Sequence, residues 1–125
     1  MPSVQSFHDL EVWQRSIDLT VHVYQLTKQF PREEIYGLTS QMRRSAVSIP
    51  SNIAEGSGRA RTPDLMRFLS IARGSNCELQ TQLVIARKLE LGTGEQIDAA
   101  EDLSHRVGKM LFNLLQTLES KSTMH

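Results

Sequence analysis

Ile97-Asp98-Ala99-Ala100-Glu101-Asp102-Leu103-Ser104-His105-Arg106-Val107-Gly108-Lys109-Met110-Leu111-Phe112-Asn113-Leu114-Leu115-Gln116-Thr117-Leu118 is the stretch that decides the fold. Its apolar residues Ile97, Ala100, Leu103, Val107, Met110, Leu111, Leu114 and Leu118 return every three or four positions, the period of one helix face. Thr93 and Gln96 just ahead of it have capping-box spacing, so the run predicts a helix over 94–120, with Ser122 to His125 as a frayed tail.

Outward from this run the same period recurs. Leu65, Phe68, Leu69, Ala72, Leu79, Leu83 and Ala86 predict a helix over 62–91. Thr62-Pro63-Asp64 opens it with a capping side chain, a proline at the first helical position and an acid in the first turn. Gly92-Thr93-Gly94 closes it, and Gly74-Ser75 reads as a point of close approach. Leu38, Met42, Ala46, Ile49 and Ile53 predict a helix over 33–56 that stops at Gly56-Ser57-Gly58. Pro50 inside it predicts a kink, because proline lacks an amide donor and crowds the Ala46 carbonyl; Ser45, Ser48, Ser51 and Asn52 stand near enough to serve freed backbone groups. Over 7–28, Leu10, Trp13, Ile17, Val21 and Tyr24 form one stripe, and Phe30-Pro31 ends the helix. Val12, Leu19, Val23 and Leu26 form a second stripe that widens the apolar surface, so Trp13, Val12, Leu19 and Val23 are the expected oligomer interface. Four such helices with short connections predict an all-α, antiparallel up-and-down four-helix bundle over 1–125 as one domain.

Composition narrows the function. Lys plus Arg and Asp plus Glu both number 14, so attraction of the whole molecule to nucleic acid or anionic lipid is weak and any such binding needs a local patch. The single cysteine, Cys77, suits a reducing compartment and reads as a small buried hydrophobe in its helix. The first six residues lack a basic patch followed by an apolar run, and no stretch reaches the roughly 18 apolar residues of a membrane span. A cytoplasmic protein with no membrane partner is the expectation.

A search for catalytic chemistry finds little. Asp102 and His105 alone have the acid-x-x-His spacing of a di-iron bundle, which needs several more ligands, so no metal, cofactor, small-molecule substrate or catalytic residue is expected. Neither Gly108-Lys109 nor Gly56-Ser57-Gly58 completes a phosphate-binding fingerprint. The one chemically distinctive segment carries Arg43, Arg44, Arg59, Arg61, Arg67 and Arg73 against only Glu55 and Asp64. Guanidinium groups pair bidentately with phosphate or carboxylate, so these six are the candidate anion or nucleic-acid contacts. The same arginines can instead pair with Glu55, Glu78 or acids across a subunit interface. Phe68 is the only aromatic between Arg43 and Arg73 and reads as core, which leaves base stacking without a platform.

Phe7-His8-Asp9-Leu10-Glu11-Val12-Trp13-Gln14, Phe30-Pro31 with Glu34-x-Tyr36-Gly37-Leu38-Thr39-Ser40-Gln41-x-Arg43-Arg44, the motif Ser48-Ile49-Pro50-Ser51-Asn52-Ile53-Ala54-Glu55-Gly56 and Ile71-Ala72-Arg73-Gly74-Ser75-x-x-Glu78-Leu79 together resemble the bundle proteins named after the intervening sequence of 23S ribosomal RNA genes, an S23 ribosomal protein-like family. The likeness spans nearly the whole chain; Arg73 before Gly74-Ser75 is a departure, and the last helix matches by pattern alone. The resemblance implies a bacterial four-helix bundle that assembles into a ring, a homopentamer, without enzymatic activity. It also implies kinship with accessory proteins of diversity-generating retroelements, whose basic surface contacts nucleic acid and reverse transcriptase. Two functions follow as expectations: a homo-oligomeric scaffold or adaptor for protein partners, and, as the alternative, an RNA- or DNA-binding accessory protein that uses the arginines.

Overall fold

The computed structural model describes residues 6–123, so Met124 and His125 of the expected tail lie outside the described residues. Four α-helices follow one another: α1 (Glu11–Thr27), α2 (Leu38–Ser57), α3 (Thr62–Lys88) and α4 (Gly94–Thr123). Single 3-10 turns at Phe7–Asp9 and Arg32–Glu34 precede α1 and α2, where the periodicity alone predicts continuous helix. No strand occurs among the described residues. Each helix packs on its neighbours in sequence, α1 closes against α4, and the diagonal pairs do not meet. That is the four-sided up-and-down bundle.

The buried positions explain the architecture. The seam residues among them are Val12, Ser16, Leu19, Val23 and Leu26 in α1, then Met42, Ala46, Ile49, Ile53 and Gly56 in α2. In α3 they are Leu69, Ala72, Asn76, Leu79, Leu83 and Ala86, and in α4 Ile97, Ala100, Ser104, Val107 and Leu111. In every helix the steps alternate between three and four, the 3.5-residue repeat that keeps one seam facing its partners in bundle packing. This seam reverses the expectation for α1. Val12, Leu19 and Val23, expected at an oligomer interface, are buried in the chain's own core, while Val21 and Tyr24 of the first stripe are exposed. Trp13 is partly buried against that core and packs edge-on to Phe7 at 5.2 Å. The buried stripe of α1 is the one that meets α2 and α4, and it runs through Ser16, whose hydroxyl is satisfied by the Trp13 carbonyl at 2.7 Å.

The motif Ser48 to Gly56 is read out by the α2–α3 contact. Ser48 Oγ meets Ser75 Oγ at 2.8 Å, Ser45 Oγ donates to Glu78 Oε1 at 3.2 Å, and Asn52 Nδ2 donates to the Ser48 carbonyl at 2.8 Å. A Cβ on Gly56 would lie 2.9 Å from Phe68 Cβ, so glycine is required for this approach. Gly74 is different: a Cβ there would meet nothing within 4 Å, and Ser75 alone makes the close contact. Pro50 sits inside an uninterrupted α2. The carbonyl it deprives of an amide, that of Ala46, accepts from Thr20 Oγ1 at 3.1 Å, a donor on α1 rather than one of the nearby serines.

Between α3 and α4 a buried polar pair interrupts the apolar seam. Asn76 Nδ2 donates to the Ser104 carbonyl at 2.9 Å while Ser104 Oγ donates to Asn76 Oδ1 at 2.8 Å, and Gly108 leaves room for the amide. The chain leaves α3 through Glu90 at φ 58, with Leu91 N–H on the Ala86 carbonyl at 2.9 Å and Glu90 N–H on the Arg87 carbonyl at 3.0 Å. This is the Schellman ending, with glutamate where glycine usually stands, and it closes α3 three residues before the predicted Leu91. Thr93 Oγ1 then accepts from Gln96 N–H at 3.1 Å and caps α4. No side-chain cap forms at the start of α3, where Arg61 occupies the cap position. Cys77, expected in the core, is exposed.

Candidate partner-binding surface

The sequence reading places Tyr36 in the first turn of a helix over 33–56, whereas in the structure it stands in the connection ahead of α2 and is 98% exposed. Also exposed are the large apolar or aromatic side chains of Val21 and Tyr24 on α1, Val47 on α2 and Ile35 in the connection between them. Ile35, Tyr36, Val47 and Tyr24 line an open cleft of about 600 Å³ together with Arg43 and Arg44. A second cleft of about 290 Å³ shares Tyr24 and Arg43 and adds Val21 and Lys28. The cations lining the two are Arg43, Arg44 and Lys28, and among the described residues no acid lines either one.

Arg43 is fixed in place. Its Nε donates to Thr27 Oγ1 at 2.8 Å and its guanidinium carbon lies 4.5 Å over the Tyr24 ring. Thr27 can accept because its own hydroxyl proton goes to the Val23 carbonyl at 2.7 Å. Arg44 makes no ion pair or hydrogen bond among the described residues. Thr39, on the floor of the cleft, has a buried hydroxyl oxygen without a partner among them. Planar aromatic and guanidinium groups beside exposed aliphatic side chains are the chemistry of protein contact hot spots.

The six candidate arginines do not form one patch. Arg43 and Arg44 belong to this cleft, and Glu55, which holds Arg59, lies twelve residues further along α2, about 18 Å at the helical rise. Arg59 Nη2 pairs with Glu55 Oε2 at 2.5 Å, its guanidinium carbon lies 4.9 Å from the Phe68 ring, and that of Arg67 lies 5.2 Å from the same ring. Arg61 is exposed between them in sequence and unpaired among the described residues. Arg73 lies 5.2 Å from the ring of Phe112 on α4. Aromatic platforms therefore do accompany the arginines, but Tyr24 and Phe112 come from other helices and could not be found by reading along one segment. Of the expected acidic partners, Glu55 pairs with Arg59, whereas Glu78 serves Ser45.

On the far side of the bundle Arg87 Nη2 joins Asp98 at 2.6 Å and Glu101 at 2.8 Å. Hydrogen bonds first to Asp98 and then to Glu101 raise its pKa above the ordinary guanidinium value. Glu95 and Asp102 extend this acidic stretch of α4, and Val84, Ile85 and Leu89 on the adjoining end of α3 are exposed. Asp102 and His105 are both exposed and share no hydrogen bond or ion pair among the described residues. Among the described residues no group of three His, Cys, Asp or Glu is placed to hold a metal ion, and no helix is long and apolar enough to cross a membrane.

Comparison with known proteins agrees with the motif reading. A protein of unknown function from the S23 ribosomal protein family of Bacteroides thetaiotaomicron has a solved structure that superposes with a TM-score of 0.77 at 25% identity, covering 84% of this chain and 95% of that one. No curated protein matches the chain. The family model described as 23S rRNA-intervening sequence protein matches residues 8–113, which takes in all three of the first helices and most of α4. The chain belongs to the 23S rRNA-intervening sequence protein family.

Proposed function

We propose that the protein is a non-enzymatic, homo-oligomeric scaffold or adaptor of the bacterial cytoplasm, a ring of five chains that presents its surfaces to other macromolecules. The observation that carries this reading is the exposed apolar and aromatic surface on α1 and α2, with Tyr36 at 98% exposure and Arg43 locked against Tyr24. An almost fully exposed tyrosine grouped with exposed Ile35 and Val47 makes an apolar patch of the kind that an associating chain keeps. Family membership is consistent with a bundle that assembles. Light-scattering mass during size-exclusion chromatography tests it: a mass of about five chains is expected, and a stable single chain at high concentration would refute it.

A second reading has its own support. Arg59 and Arg67 flank Phe68, with Arg61 close in sequence, at the end of the bundle opposite Tyr36. Guanidinium groups held beside the Phe68 ring suit phosphate oxygens, so this end is the candidate nucleic-acid contact. A ring would repeat it in every copy and raise a weak affinity by multivalency. Titration with total bacterial RNA at several salt concentrations decides the matter. Affinity that falls steeply with salt, and a log–log slope made shallower by about 0.7 per lost phosphate contact in Arg67→Ala, supports nucleic-acid binding; absent or salt-independent binding refutes it.

A further inference from the structure

We infer that the pocket beneath the α1–α2 connection binds a phosphate group, either free phosphate or the monoester of a small planar molecule; the site lies within one chain and needs no second copy. The pocket, of about 320 Å³, is lined by Lys28 at the end of α1, Arg32 and Ile35 in the connection, and Thr39 and Arg43 on α2. Its three cations have no acid to neutralise them. Lys28 and Arg32 are exposed, and their side chains make no hydrogen bond or ion pair among the described residues. Arg43 directs its Nε to Thr27 Oγ1 at 2.8 Å, a neutral partner. The nearest acids in sequence, Glu33 and Glu34, do not line the pocket, and Glu34 Oε1 already accepts the Leu38 N–H at 3.1 Å. From Lys28 to Arg44 the four cations Lys28, Arg32, Arg43 and Arg44 stand against these two carboxylates, which leaves two positive charges in excess.

Thr39 supplies the second observation. It is 7% exposed, its hydroxyl oxygen is buried without a partner among the described residues, and it lines both this pocket and the neighbouring cleft. A helical threonine ordinarily returns its proton to the carbonyl three or four residues earlier, as Thr20 and Thr27 do. Thr39 makes no such bond, which leaves a donor for a ligand oxygen in the first turn of α2, at the helix end that favours negative charge. Phosphate fits this set because its oxygens accept from several donors at once and its bonds to guanidinium and ammonium groups are charge-assisted. A neutral apolar ligand would leave the cations and the hydroxyl unserved. Ile35, Thr39 and Arg43 also line the larger cleft in which Tyr36 is exposed, so a ring carried by the phosphate has an aromatic side chain beside it.

Isothermal titration calorimetry with inorganic phosphate tests the site, and binding that saturates by about 10 mM, at one anion per chain, is expected. Lys28→Gln and Arg32→Gln each remove one charged donor and are expected to weaken it about tenfold. Arg44→Gln removes the same charge from the adjoining cleft without touching the pocket, and at about 0.15 M salt it should leave the affinity within about twofold. Thr39→Val deletes the hydroxyl with little change of shape. Because that hydroxyl has no partner in the free protein, the melting temperature should hold or rise while phosphate affinity falls. Adenosine monophosphate bound at least about threefold tighter than phosphate, an advantage lost in Tyr36→Ala, identifies the monoester, and equal or weaker binding identifies the free anion. Absence of saturation, no loss in Lys28→Gln and Arg32→Gln, or an equal loss in Arg44→Gln overturns the site. A Thr39→Val protein that binds phosphate as the parent does overturns the part given to the hydroxyl.

Discussion

Thr20→Val isolates the bond that allows Pro50 to sit inside α2. Ala46 is fully buried, its carbonyl has no amide to receive from position 50, and the donor that replaces it is Thr20 Oγ1 at 3.1 Å. The same hydroxyl leans on the Ser16 carbonyl at 2.8 Å, so one proton is shared between two acceptors. Valine has nearly the shape of threonine and leaves almost no cavity, which confines the effect to the hydroxyl. Leaving a buried carbonyl unpaired costs about 1 to 3 kcal/mol, and the shared proton argues for the lower half of that range. For a chain of this size about 1.5 kcal/mol lowers the melting temperature by roughly 4 to 8 °C. In a Pro50→Ala background the new amide can serve Ala46, and Thr20→Val should then cost only about a few tenths of a kcal/mol, giving a coupling of about 1 kcal/mol. Urea unfolding followed by circular dichroism on the four proteins of this cycle measures it, at one fixed protein concentration because assembly adds a mass-action contribution. Equal losses in both backgrounds would refute the claim that Thr20 stands in for the missing amide.

The glycines of α2 and α3 should respond in opposite directions to alanine. Gly74→Ala, with open space around the new methyl group, is expected to raise stability by about 0.5 to 1 kcal/mol, whereas Gly56→Ala, 2.9 Å from Phe68 Cβ, should cost about 1 to 3 kcal/mol; thermal melts of both variants check the signs. Glu90→Gly relieves a left-handed conformation at φ 58 and should stabilise by about 0.5 to 1 kcal/mol in the same assay. Ser104→Ala leaves the buried Asn76 Oδ1 without its donor and should destabilise by about 1 to 2 kcal/mol, and Asn76→Leu in that background should recover part of the loss in chemical denaturation.

The helices and their connections were legible because a period of three or four survives any choice of partner. Which face of α1 turns inward was not. Two stripes fit the period equally, and the buried one contains Ser16, a polar residue that hides its hydroxyl on the Trp13 carbonyl and so looks like a surface position. Cys77 was misplaced for a related reason. The buried positions of α3 include Asn76 and Gln82, while Ile71, Val84 and Ile85 are exposed, so polarity points to the wrong face until the neighbours are known. The candidate surfaces divide along the same line between local and nonlocal information. The arginines could be picked out along the chain. Their aromatic partners, Tyr24 beneath Arg43 and Phe112 beneath Arg73, are contacts between helices, and so is the Thr20 bond to Ala46.

A formal charge of zero hides local sorting, because Arg43, Arg44 and Lys28 line the α1/α2 clefts and, among the described residues, no acid does. Sorting has consequences only if the faces keep a fixed relation to one another, and the polar contacts that fix it converge on α3. Ser75 and Glu78 tie it to α2, and Asn76 and Arg87 tie it to α4. Apolar seams alone tolerate a slip of one turn, since a leucine stepped by one repeat meets another leucine; a buried amide that must find the Ser104 carbonyl does not. The α3 contacts therefore hold α4 in register with the arginine-lined cleft of α2, through the shared helix between them. A bundle whose core were made only of leucine would bury as much surface and still lose that alignment, which is the physical reason the polar residues of the seam bear on function as well as on fold.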